Sequence, residues 1–165
     1  MQEIVNKISG FMWEPALIYV LLGTGLFFSI LTRFVQVRMF GEMWRLIFSG
    51  KESDRGISSF QALAVSLSGR VGTGNIAGVA AAIGIGGPGA VFWMWVVAFL
   101  GASTAYVESA LGQIYKEEVD GELRGGPAYY FEKALGQKWY AWIFAVSTII
   151  AVGVLLPTVQ SNAIG

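Results

Sequence analysis

The chain has 165 residues, 55% hydrophobic and 13% charged, against about a quarter charged in an ordinary soluble domain, so lipid is the expected main solvent. Lys plus Arg and Asp plus Glu number 11 each and cancel, which leaves no electrostatic case for a nucleic-acid partner. With no cysteine and no histidine, disulfides, thiol nucleophiles, imidazole bases and the commonest zinc ligands are excluded; neither an enzyme, a metal centre nor an organic cofactor is expected.

Pro15 to Thr32 is the first apolar run, 18 uncharged residues between Glu14 and Arg33. As a helix it covers about 27 Å, which suffices for a hydrocarbon layer of about 30 Å with slight tilt. Glu3 and Glu14 precede it and Arg33 and Phe34 follow it. That suits a retained span over 15–33 better than a signal peptide, with its basic front and small-residue cleavage site. In the next segment Arg38, Glu42 and Arg45 recur at spacings of four and three, while Met39, Phe40, Met43, Trp44, Ile47 and Phe48 fill the other faces. The pattern predicts an interfacial helix over 35–49 with its charged stripe toward water; an amphipathic helix on a soluble loop is the alternative.

Val71 to Val107 runs 37 residues without a charge, too long for one straight span, and Gly84, Gly86, Gly87, Pro88 and Gly89 mark the place where it folds back. Helices are predicted at 58–85 and 89–112, joined by a short outer turn. A polar loop over 113–138 follows, in which Gly125, Gly126 and Pro127 open a short helix, Ala128 to Leu135, closed by Gly136. The uncharged stretch from Trp139 onward predicts a last membrane helix over 139–162. Arg33, Arg38, Arg45, Lys51 and Arg55 in the first loop and Lys116, Arg124, Lys133 and Lys138 in the second outweigh Lys7 in the N-terminal tail. Both loops are therefore expected in the cytoplasm and the N-terminus outside, in a multi-pass protein of the cell (inner) membrane.

The segment 57–85 is the informative one. Its 29 residues would reach about 43 Å as a regular helix, too long for an upright span. Gly69, Gly72, Thr73, Gly74 and Asn75 stand in its middle. Each glycine costs a helix about 1 kcal/mol relative to alanine, and Thr73 and Asn75 offer oxygen where the backbone lets go. Counted back from the glycine turn, the break lies near the bilayer centre, where irregular backbone persists only if something polar meets it. Carbonyls with the Thr73 and Asn75 oxygens suit a desolvated cation, and free N–H groups near Asn75 to Gly78 suit a carboxylate. A zwitterion with Na⁺ fits these poles. Gly74, Gly78, Ala82 and Gly86, spaced by four, equally make a stripe for close helix packing, and the two readings are compatible.

Gly72, Gly74 and Ala77, and again Gly84, Gly86 and Gly89, imitate a dinucleotide-binding pattern. The strand ahead and the properly placed acid behind are missing: Glu108 is the first acid after Gly74, 34 residues on, and it follows the second pattern across an apolar, tryptophan-rich stretch. Arg70 and Glu108 are the charges nearest the apolar core and fall at similar depth on antiparallel helices, which makes an ion pair one expectation and snorkelling of Arg70 the other. Gln160, Ser161 and Asn162 come about 32 Å after Trp139, so residue counting favours an exit turn there.

Val71-Gly-Thr-Gly-Asn-Ile-Ala-Gly-Val79 followed by Gly86-Gly-Pro-Gly-Ala-Val-Phe-Trp-Met-Trp95 resembles the hallmark of the alanine or glycine:cation symporter family. Glu108, Arg124-Gly-Gly-Pro127 and Val159-Gln-Ser-Asn162 extend the resemblance over almost the whole chain. It implies an all-α transmembrane protein with part of a leucine-transporter-like fold: an extra N-terminal helix, then the start of the first of two five-helix inverted repeats. It further implies symport of a small neutral amino acid with Na⁺, or with H⁺ in some members. Thr73, Gly74, Asn75 and Gln160 would touch the substrate, with Gly72, Thr73 and Asn75 serving the cation; the exit turn at Gln160 gives way on this ground alone. The second repeat, with its own broken helix, is absent from these 165 residues. Transport is thus expected only with that repeat supplied in cis or in trans; a truncated membrane subunit without activity of its own is the alternative.

Overall fold

The computed structural model describes residues 2–11, 16–49 and 57–164; Glu14, Pro15, Lys51 and Arg55, invoked above, lie outside them. The described chain is helical except for one small ribbon. In order it runs α1 (Gln2–Phe11), α2 (Leu17–Leu31), α3 (Val35–Arg38), α4 (Phe40–Ser49), α5 (Ser59–Ser68), a first π turn (Gly74–Gly78), α6 (Val79–Gly86), α7 (Gly89–Ile114), β1 (Glu117–Val119), β2 (Glu122–Arg124), α8 (Pro127–Leu135), α9 (Lys138–Ile150), a second π turn (Ala151–Leu155) and α10 (Leu156–Ile164). Two helical stretches, Gly89–Ile114 and Lys138–Asn162, are long and apolar enough to cross a bilayer. Val35 and Ala141 are the buried apolar residues among the described ones, whereas Ile85, Trp142 and Ile149 are 91%, 72% and 69% exposed. A soluble domain inverts that ratio; here the apolar faces are available to lipid or to further helices, and the chain is a helical membrane protein.

The chain divides into two compact units, one of residues 1–63 and 86–105, the other of residues 64–85 and 106–165. In the first unit α2 ends in a Schellman pair: Phe34 N–H donates to Ser29 O at 2.7 Å and Arg33 N–H to Ile30 O at 3.0 Å. Arg33 and Phe34 both take left-handed φ, +54° and +53°, where glycine is the usual occupant. The interfacial helix predicted over 35–49 is divided at Met39, which sits at φ −97° and ψ 8° between α3 and α4. Along α4 the rings of Phe40, Trp44 and Phe48 follow one another at a spacing of four and form one aromatic ridge.

Where α2 meets α7 the backbones approach so closely that a methyl group on Gly25 would lie 2.9 Å from Leu100 Cβ. A polar chain crosses this contact. Gln36 Nε2 donates to Ser29 Oγ at 3.0 Å and Ser29 Oγ to Ser103 Oγ at 3.0 Å. The Ser103 proton then has Gly25 O at 3.0 Å and Leu100 O at 2.8 Å. Both serines are 0% exposed, so their hydroxyls depend on each other rather than on water. Ser103→Ala is expected to cost about 0.5–1.5 kcal/mol for the lost bonds, visible as a lower thermal midpoint of the chain in detergent. An unchanged midpoint would refute this account of the contact.

In the second unit the predicted polar loop is a folded cap. Asp120 and Gly121, at φ +56° and +81°, make the tight turn of an antiparallel ribbon in which Glu117 faces Arg124 and Val119 faces Glu122. Lys133 Nζ on α8 binds Glu117 Oε1 at 2.7 Å and ties the ribbon to that helix. Gly126, at φ +120°, caps α8 with Pro127 in its first turn, and Gly136, at +66°, ends it. Phe131 on α8 packs edge-on against Tyr140 and Phe144 of α9, with ring centroids 5.2 and 5.8 Å apart.

Candidate functional site

The helix that begins at Ser59 lets go at Ser68. Leu67 O accepts both Arg70 N–H, at 3.0 Å, and Val71 N–H, at 3.1 Å, and Val71 and Gly72 belong to no helix. The chain turns on an Asn75 N–H to Gly72 O bond of 3.0 Å and resumes as a π turn, Gly74–Gly78, before α6. Glycines at 69, 72 and 74 remove the side chains and the helix preference that would have carried α5 straight into α6. A π turn widens the ring of backbone bonds, a feature frequent at functional sites.

Asn75 closes the gap. Its Nδ2 donates to Arg70 O at 3.1 Å, so the side chain replaces a backbone donor that the break has removed. The amide oxygen, Oδ1, and the Thr73 hydroxyl have no hydrogen-bond partner among the described residues. Both are neutral oxygen donors of the kind that ligate an alkali cation.

The second helix of the site comes from α10. A methyl group placed on Gly72 would lie 3.1 Å from Gln160 Nε2 and 3.9 Å from Gln160 Cδ, so the glutamine amide rests against the bare backbone of the break. The exit turn favoured by residue counting is not formed: α10 continues through Gln160, Ser161 and Asn162 to Ile164. The second π turn contains Gly153 and lies just ahead of Pro157, two residues that disfavour a regular helix, and the chain stays helical through both. Gly72, Thr73, Gly74 and Asn75 therefore form one local cluster with Gln160 beside its first member.

Arg70 and Glu108 form no ion pair within 4.0 Å among the described residues. Arg70 contributes its carbonyl to the break instead. Glu108 acts on Tyr130 of α8, whose phenol pKa is raised by burial first and by the Glu108 carboxylate second. Tyr130 thus remains a protonated donor at neutral pH.

The sequence profile of the sodium:alanine symporter family matches residues 1–165. The chain belongs to the sodium:alanine symporter family. Among relatives, the proposed sodium/proton-dependent alanine carrier YrbD of Bacillus subtilis is 59% identical over 164 residues, covering 99% of this chain and 34% of that one. The proposed sodium/glutamine symporter GlnT of the same organism is 45% identical over 170 residues, with 99% and 36% covered. The sodium/alanine symporter AgcS of Methanococcus maripaludis is 46% identical over 137 residues, with 81% and 30% covered. The chain thus spans about a third of the length of these relatives. In this symporter-family chain the broken helix and its glutamine neighbour lie wholly within the matched region.

Proposed function

We propose that this chain supplies the first broken helix of a Na⁺-coupled symporter for a small neutral amino acid, alanine or glycine, and acts with the second repeat of a complete transporter. The contact of Gln160 with Gly72, at a break whose freed Arg70 carbonyl is capped by Asn75, carries the reading. Thr73 Oγ1, Asn75 Oδ1 and the Gly72 carbonyl are the cation ligands in this proposal, with H⁺ as the alternative coupling ion. Thr73, Gly74, Asn75 and Gln160 meet the amino acid. None of the clustered residues, Gly72, Thr73, Gly74, Asn75 and Gln160, is charged, which favours a zwitterion. The substrates for which these relatives are named, alanine and glutamine, are both neutral amino acids. The surrounding architecture in this reading is a leucine-transporter-like inverted repeat in the cell membrane, with the N-terminus outside; its role is transport and not catalysis.

The test is uptake of labelled alanine in cells expressing the chain alone or extended by the downstream two-thirds of YrbD, given that the chain matches 34% of that relative. Uptake that requires Na⁺ is expected from the extended protein and not from the 165-residue chain alone. An extended protein that reaches the membrane yet moves neither alanine nor glycine would defeat the proposal and favour a non-transporting subunit.

A further inference from the structure

We propose that the second π turn, Ala151–Leu155, with Pro157 behind it, is the positioning device that turns Gln160 toward Gly72. From Lys138 to Asn162 the chain is one long apolar helical stretch, and its single irregularity lies five residues ahead of Gln160. There Leu156 N–H donates to Ala151 O, five residues back instead of four. A π turn places one extra residue in a helix that otherwise advances about 100° per residue, so it resets the angle of every side chain beyond it. Closed to a regular α turn with no residue removed, the helix would put Val159 in the place of Gln160 and swing the amide about 100° away. The break at Gly72 would then face an isopropyl group.

Pro157 gives the turn its cause. It has no N–H to donate, and in a regular helix its ring would press on the carbonyl of Gly153 four residues before. Widening the turn immediately ahead of the ring relieves that contact. Thr158 Oγ1 donates to Val154 O at 2.6 Å, so a side chain takes up one carbonyl of the disturbed turn. The contact of Gly72 with Gln160 is thereby flanked by two π turns, Gly74–Gly78 beginning two residues after Gly72 and Ala151–Leu155 ending five residues before Gln160. Pro157 acts through Gln160 and need touch neither substrate nor ion.

The transport consequence rests on the role proposed above for Gln160, but the positioning is a property of this chain's backbone and is tested on it directly. The chain has no cysteine, so Gly72→Cys with Gln160→Cys gives a background-free pair in membrane vesicles. A short bifunctional thiol reagent is expected to join them, read by mass spectrometry of the tryptic peptides that carry positions 72 and 160. Pro157→Ala should reduce the linked peptide to the level of single-cysteine controls. Pro157→Ala combined with deletion of Gly153 removes the extra residue, returns the helix to its former phase and should restore the link. Linking that survives Pro157→Ala, fails to return on deletion, or never forms in the parent pair overturns the inference. If the linking follows expectation while Pro157→Ala leaves uptake by the extended transporter intact, the positioning stands and the role of Gln160 in transport falls.

Discussion

Asn75→Ala in the extended transporter is expected to lower Na⁺-dependent alanine uptake by roughly 5- to 150-fold at equal membrane abundance, the equivalent of about 1–3 kcal/mol for a polar group left unsatisfied away from water. Two losses combine in this substitution. The Nδ2 donor that holds Arg70 O at 3.1 Å disappears, leaving the carbonyl end of α5 without its side-chain partner. The Oδ1 proposed for the cation goes with it. Asn75→Asp separates the two, because a carboxylate keeps the oxygens and cannot donate to Arg70 O. Its uptake should retain a Na⁺ requirement at a reduced maximal rate, whereas alanine should also weaken the apparent affinity for Na⁺. Normal uptake by Asn75→Ala, with abundance checked by quantitative blotting, would remove this residue from the site.

The second large effect is structural and lies in the cap. A methyl group on Gly125 would stand 2.5 Å from Gly112 O and 3.2 Å from Lys116 Cβ. The carbonyl belongs to the backbone of α7 and cannot rotate away as a side chain would. Gly125→Ala must therefore part the ribbon from the end of α7, at a cost of about 1–3 kcal/mol for an overpacked contact, or a fall of roughly 2–10 °C in the thermal midpoint. Gly101→Ala serves as control, since nothing beyond its own chain neighbours and the helix backbone of its own turn lies within 4 Å of the added group and the residue sits in the interior of α7. It should be neutral or stabilising by up to about 1 kcal/mol. Equal melting of the two variants would show that the ribbon is not seated on α7 as described.

Much of this was written locally. A run of apolar residues reports its solvent, and glycines interleaved with Thr73 and Asn75 report a helix that cannot hold its own bonds. The Val119-Asp-Gly-Glu122 hairpin was legible too, through the left-handed preference of its central pair, yet the surrounding charges read as loop. Other features left no local trace. Ser29 and Ser103 look like ordinary small residues in apolar runs, and nothing near either of them names the other as its partner. The pairing expected between Arg70 and Glu108 matched them by depth alone; depth fixes height along a helix and says nothing of which way a side chain faces.

The sequence by itself determined that this is a helical membrane protein of a symporter family and where the helix begun at Ser59 gives way, because hydropathy, glycine content and backbone preference act within a few residues. Only the tertiary structure decided that Gln160 rests on Gly72, that the Glu108 carboxylate helps to raise the Tyr130 pKa, and that two buried serines join α2 to α7. Those meetings depend on helix phase. A single extra residue in a π turn shifts that phase by about 100°, and no local preference of the residues on either side records the result.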